Sequence, residues 1–158
     1  MSSTVCGFIG LGLIGGSIAR ALKAADPSIH IIAFDPNEES LRMAQEEGIA
    51  DTAASRIDAS FSACDYIFLC APVEINDENL ILLRPFLRPE TTLTDIGSVK
   101  TDIHRHIHAL GLDAQFIGGH PMAGTERIGY QNSKAVLLEN AYYILTRTPE
   151  TDETRLQS

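Results

Sequence analysis

Positive charge is scarce in this sequence. Its 158 residues carry 12 lysines and arginines against 21 aspartates and glutamates, a formal net charge of -9. That deficit argues against nucleic acid or an anionic membrane as a partner, since both are bound through excess cation. It still leaves room for a small anion in a local positive pocket. Cysteine is scarce too. Cys6, Cys64 and Cys70 are odd in number and form no C-x-x-C. Two of them lie in apolar runs, so they read as reduced core thiols of a cytoplasmic protein, not as a disulfide framework. No apolar stretch reaches the length of a membrane span. Val5 to Ala19 comes nearest to a secretion signal, but no basic residues precede it and five glycines interrupt it. Internal repeats and low-complexity tracts are also missing. What remains is a soluble globular chain, 44% hydrophobic and 21% charged. Its length suits one domain that buries about 70% of its unfolded surface.

Strand-length apolar runs alternate with helix-period segments along this chain. Val5–Ile9 is a short run, followed by Ile14, Ile18 and Leu22 at helical spacing up to Asp26-Pro27. Ile29–Phe34 is a second run, after which Asn37 is placed to cap a helix from Glu38 to Glu47 with Gly48 just beyond it. Tyr66–Cys70 is a third run. The helix bearing Leu80, Leu83 and Leu87 is ended or kinked by Pro85. Thr92–Thr94, Phe116–Gly118 and Tyr142–Leu145 read as further strands, with Ile103, Ile107 and Leu110 marking a helix over 100–110. Pro149 to Ser158 is polar and begins a helix without completing it. Such alternation predicts a Rossmann-type doubly wound, mostly parallel sheet with helices on both faces.

The first turn carries Gly10-Leu-Gly12-Leu-Ile-Gly15, a G-x-G-x-x-G between a predicted strand and a predicted helix. Gly10 would make the tight turn, Gly12 admit a pyrophosphate to the backbone, and Gly15 let helix and strand pack closely. The phosphates would lie on the helix N-terminus opened by Leu13 and Ile14. Asp35 ends the next strand twenty residues after Gly15, where a carboxylate bonds the adenosine ribose. With no arginine in Pro36-Asn37 to accept a 2′-phosphate, the spacing favours NAD over NADP. Ala71-Pro72-Val73 follows the third run, where such a chain passes the nicotinamide half of the cofactor.

"IGGHPMAGTERIG" (117–129) poses a separate question. No helix runs through His120-Pro121, and the glycines argue against a core strand. Strand carboxyl ends share one crevice in an open α/β sheet, so His120 and "LTDIGSVK" (93–100) converge on the cofactor. Ser98 sits near a helix N-terminus, where plain capping is the simpler role.

Together these motifs resemble the prephenate/arogenate dehydrogenase family: "GLGLIGGS" (10–17), "FDPN" (34–37), "DIGSVK" (95–100) and "GGHPMAGTERIG" (118–129). The resemblance runs through nearly the whole chain, and its last motif is absent from generic Rossmann dehydrogenases. It implies NAD-dependent oxidative decarboxylation of prephenate or arogenate in tyrosine biosynthesis. His120 takes the place of the catalytic histidine, Ser98 that of a serine near the nicotinamide and substrate hydroxyl, and Glu126 that of a pocket-gating acid. An imidazole, with an unperturbed pKa of about 6.5, suits removal of the hydroxyl proton. Family members continue into a helical domain that dimerises and supplies cations for the substrate. The sequence lacks that domain, so the isolated chain is expected to turn over weakly or not at all.

Two rival readings remain: a β-hydroxyacid-type dehydrogenase domain, and a non-catalytic NAD-binding regulatory module. "HRHIH" (104–108) invites a metal, but the Ile103/Ile107/Leu110 period demands a helix on which only His104 and His108 align. A solvated helix face is the expectation there, with no metal. Lys100 reads as a surface residue of the first helical turn.

Overall fold

The computed structural model describes residues 2–158. Seven strands form one sheet in the order β3-β2-β1-β4-β5-β6-β7. They are β1 (Val5–Ile9), β2 (His30–Phe34), β3 (Thr52–Ala54), β4 (Tyr66–Leu69), β5 (Thr92–Asp95), β6 (Phe116–Pro121) and β7 (Tyr143–Arg147). β1 to β6 pair in parallel, and β7 returns antiparallel along β6. The helices are α1 (Leu13–Ala25), α2 (Glu38–Glu46), α3 (Val73–Leu83), α4 (Thr101–Ala109) and α5 (Glu153–Gln157). This is the expected Rossmann-type sheet, and the order reverses between β1 and β4, the switch point at which such sheets bind ligands.

Two cores flank the sheet. Ile9, Ile67, Leu69 and Leu93 pack on Leu80, Leu83, Ile103 and Ile107 of α3 and α4. Phe8, Ile31 and Ala33 pack on the other face against Ile18 and Ala19 of α1 and Leu41 and Ala44 of α2. Cover on that second face thins past β4, where Phe68, Thr94, Tyr143 and Leu145 wall a shallow recess touched by Leu156 of α5. Cys6 and Cys64 are buried in these cores. Burial, with help from Asp65, raises the Cys6 thiol to about 11. Burial, then Cys6 and Asp65, raises Cys64 to about 12. All three cysteines are free thiols.

Local chemistry sets most boundaries. Asn37 caps α2 by accepting from Glu39 N and Ser40 N, and Gly48 lies beyond its end at φ +70. α3 stops at Leu83, where Pro85 turns the chain into a 3-10 segment, Arg84–Phe86. Three expectations need correction. β3 went unrecognised, because three residues of Thr and Ala carry no hydrophobic period. β6 does not stop at Gly118 but runs on through His120 and Pro121, with Gly118 and Gly119 both buried. A Cβ on Gly119 would sit 2.5 Å from Asp95 O, so these glycines mark a close approach of neighbouring backbones. Leu87 lies outside the α3 helix. No helix of the described residues is long and apolar enough to cross a membrane.

Candidate active site

The glycine loop has the geometry that a dinucleotide requires. Gly10 takes φ +96, and a side chain there would collide with the backbone of Cys70 and Ala71. A Cβ on Gly12 would meet nothing within 4 Å, so open space adjoins the backbone where α1 begins. A Cβ on Gly15 would lie 2.9 Å from both Cys70 Cβ and Gly10 O, which fixes how closely α1 lies on the strands. Leu13 and Ile14 form the first turn of α1, which has no side-chain cap and no acidic residue. Its free N–H groups and dipole therefore face outward uncompensated, as an anion needs.

A cleft of about 390 Å³ opens beside this loop, between Gly10 and Gly12, Asp35-Pro36 and Ala71-Pro72. Asp35 is braced on the protein side: Oδ2 accepts from Leu11 N at 2.7 Å and Oδ1 from Asn37 N at 2.8 Å. Each oxygen keeps a further lone pair for a ligand hydroxyl. Val73 begins α3 directly after Pro72 and is not among the residues lining the cleft. Cys70 lines the cleft, and burial first, then Asp95, holds its thiol well above the ordinary range. It is a wall, not a nucleophile. One arginine does stand close by, contrary to the reading of Pro36-Asn37 alone. Arg42 shares a recess with Asp35, but Glu39 and Glu46 each hold it at 2.5 Å.

The second half of the site is organised by a residue that the motif reading passed over. Asp95, at the end of β5, is 2% exposed. Its carboxylate accepts from Gly97 N at 3.1 Å, Gly119 N at 3.0 Å and Lys100 Nζ at 2.6 and 2.7 Å. Lys100 Nζ also donates to Gly119 O. Lys100 is therefore no surface residue: its side chain is 17% exposed and locked in an ion pair. One carboxylate thus ties the turn carrying Ser98 to the residue before His120. The only sequence hint was an acid and a lysine five apart, a spacing that matches no helix or strand period.

His120 lies near the end of β6, half-buried, opposite Ile144 of β7. Its imidazole makes no hydrogen bond with the described residues, so both ring nitrogens are free to act. Ser98 is exposed and does not cap α4. Lys100 holds that position, without a side-chain cap bond. Glu126 is exposed in the loop 122–129. That loop is fastened at both ends, at one by β6–β7 pairing and at the other by Tyr130. Tyr130 is fully buried, donates its hydroxyl to Glu47 at 2.8 Å and lies under Arg20, whose guanidinium is 4.8 Å from the ring centroid. Arg20 also bonds Ser133 at 2.8 Å, and Lys134 N donates to Ser17 Oγ at 3.0 Å. This fastening was invisible in the motifs.

The histidines of α4 take separate roles. His104 is half-buried, not fully solvated: it meets Phe116 edge-on and lies 3.3 Å from Thr146 Oγ1. His106 faces Asp77, and His108 faces Asp113. Among the described residues no group of three His, Cys, Asp or Glu is placed to hold a metal.

The family model described as prephenate dehydrogenase, nucleotide-binding domain, matches residues 18–158. The prephenate dehydrogenase of Lactococcus lactis subsp. cremoris is 40% identical over 150 residues, covering 93% of this chain and 41% of that protein. Among solved structures, prephenate dehydrogenase from A. aeolicus in complex with hydroxyphenyl propionate and NAD+ superposes with TM-score 0.90 at 35% identity, over 99% of this chain and 55% of that one. Synechocystis arogenate dehydrogenase gives TM-score 0.89 at 34% identity, over 98% and 54%. The chain thus spans 41% of the curated relative's length. With the glycine loop, the braced Asp35 and the GGHPMAGTERIG loop in place, the chain belongs to the prephenate dehydrogenase family and carries its nucleotide-binding domain.

Proposed function

We propose that these 158 residues form the NAD-binding, histidine-bearing domain of a cytoplasmic enzyme that oxidatively decarboxylates prephenate or arogenate in tyrosine biosynthesis. The remaining length found in the relatives would supply the substrate cations and the dimer contact. One observation carries the reading. Asp95 joins the Ser98 turn to Gly119, the residue before His120, through paired backbone and lysine bonds, at the strand ends that also bear the glycine cleft. No nucleic acid partner fits the net charge of -9.

The cleft's own residues fit the cofactor. Gly12 leaves space for the pyrophosphate, the first turn of α1 offers N–H donors, and Asp35 offers acceptors to the adenosine ribose. Bound nicotinamide would accept the hydride from the ring carbon bearing the hydroxyl. His120 takes that hydroxyl's proton as the carbon–oxygen bond becomes a carbonyl. The ring carboxylate leaves as carbon dioxide, the ring becomes aromatic, and the imidazolium returns its proton to the same oxygen. Ser98 orients the hydroxyl, and Glu126 on its tethered loop borders the entrance. Asp35 repels a 2′-phosphate, and Arg42 is already engaged by two glutamates, so NAD is favoured over NADP.

Calorimetric titration tests the cofactor half of this reading. NAD should bind well and NADP at least tenfold more weakly, a difference of about 1.4 kcal/mol or more. Asp35→Ala should shrink that gap. Equal affinity of the wild-type chain for both dinucleotides would remove Asp35 from its role.

A further inference from the structure

We propose that Asn79 reads the adenine base of the dinucleotide, an inference that rests on the reading of the cleft as the cofactor site. α3 buries Leu80 and Leu83 completely against the fold. Two asparagines nevertheless lie on its buried side: Asn76 at 3% exposure and Asn79 at 7%. Asn76 has a structural task. Its Nδ2 donates to Ala71 O at 3.1 Å, holding the Ala71-Pro72 turn, while its Oδ1 is sealed from solvent without a partner among the described residues. Asn79 has none. Its carboxamide makes no hydrogen bond with any described residue, and Asn79 lines the cleft together with Gly10, Gly12 and Asp35.

The residue is 7% exposed, and its unpartnered amide opens onto the cleft instead of being sealed in the core, a place that a core-facing leucine would suit as well if packing were its only task. The position makes sense once the cleft is filled. Phosphates at Gly10–Gly12 and a ribose at Asp35 leave the attached base between Pro36 and Ile75, with Asn79 beside them. Pro36 and Ile75 offer apolar surface to a flat ring. An asparagine amide sets one donor beside one acceptor, the complement of adenine's 6-amino group and the adjacent ring nitrogen. Asn79 is then a specificity-determining residue, selecting adenine among the bases a dinucleotide can carry.

The test compares NAD with its analogue bearing hydrogen in place of the purine 6-amino group, each titrated into the 158-residue chain. The wild type should prefer NAD by roughly tenfold, the loss expected when a buried acceptor is left unpaired. Asn79→Leu and Asn79→Ala should bind NAD more weakly and hold the two ligands equal within about twofold. Without ligand, Asn79→Leu should melt no lower than the wild type, an outcome that a structural asparagine would not give. A wild type indifferent to the 6-amino group, variants that keep the preference, or a lowered melting point of unliganded Asn79→Leu would each overturn the assignment. If the wild type binds no NAD, the cofactor reading itself falls and takes the inference with it. NAD binding with an unchanged preference in the variants defeats Asn79 alone.

Discussion

At the scale of single residues, the proposed chemistry rests on an imidazole with no hydrogen-bond partner among the described residues and on the carboxylate that holds the preceding residue's backbone. His120 is free at both nitrogens, while its neighbour Gly119 is bonded at both N–H and C=O through Asp95 and Lys100. The side chain is available and the main chain is fixed, the combination a general base requires. In a protein extended to the length of its relatives, His120→Asn should lower kcat by roughly 10²–10⁴. NAD affinity should hardly move, because the dinucleotide is held elsewhere. Protonated imidazole accepts no proton, so wild-type kcat should fall at acid pH through one ionisation, a limb the variant lacks. Ser98→Ala should cost less, since the role proposed for Ser98 is only to orient. Steady-state kinetics across pH decides this, and a His120→Asn enzyme with full kcat and an intact acid limb would return His120 to a structural role.

At the scale of elements, the sequence was legible where a period or a fixed spacing carried the information. β1, β2 and β4 announce themselves as apolar runs. α2 shows its cap and its terminal glycine, and the G-x-G-x-x-G stands between strand and helix. The parts that hold the site together were less visible, because they depend on contacts between distant segments. The Asp95–Lys100 pair and the docking of Tyr130 on α1 are of this kind, and β6 hid its last residues behind glycines that in fact let backbones approach. Two glycines, Gly12 at the N-cap of α1 and Gly16 inside it, put the contrast to the test. A Cβ on Gly16 would lie 2.8 Å from Ser133 Cβ and Tyr130 Cδ2, whereas one on Gly12 would meet nothing within 4 Å. Gly16→Ala should therefore destabilise the protein by about 1–3 kcal/mol through overpacking, offset in part by about 1 kcal/mol of helix propensity. Gly12→Ala should leave the ligand-free protein within about 0.5 kcal/mol of wild type yet weaken NAD binding, since its methyl group takes the space of the pyrophosphate. Thermal melts and NAD titrations of the two variants check both halves. Gly12→Ala binding NAD like the wild type would put the pyrophosphate elsewhere.

At the scale of the whole molecule, cations decide what this chain does by itself. Prephenate carries two carboxylates, and fixed arginines are the usual anchors for such groups. Lys100 is consumed by Asp95, and Arg105 is paired with Asp102 at 2.6 Å. Arg127 stands exposed on the loop, without a carboxylate partner among the described residues. The 158-residue chain should therefore bind NAD but turn over prephenate at least roughly 10²-fold more slowly than full-length relatives, the orientation term alone being worth several kcal/mol. Comparable rates would show that the site is complete within these residues. The fastening of the 122–129 loop has a different consequence. Both anchors outlast a break between them, since β7 remains zipped to β6 and Tyr130 remains seated under Arg20. A trypsin nick after Arg127 would thus yield two fragments that travel as one particle, its glycine-loop cleft, lined by residues between Gly10 and Asn79, untouched by the cut.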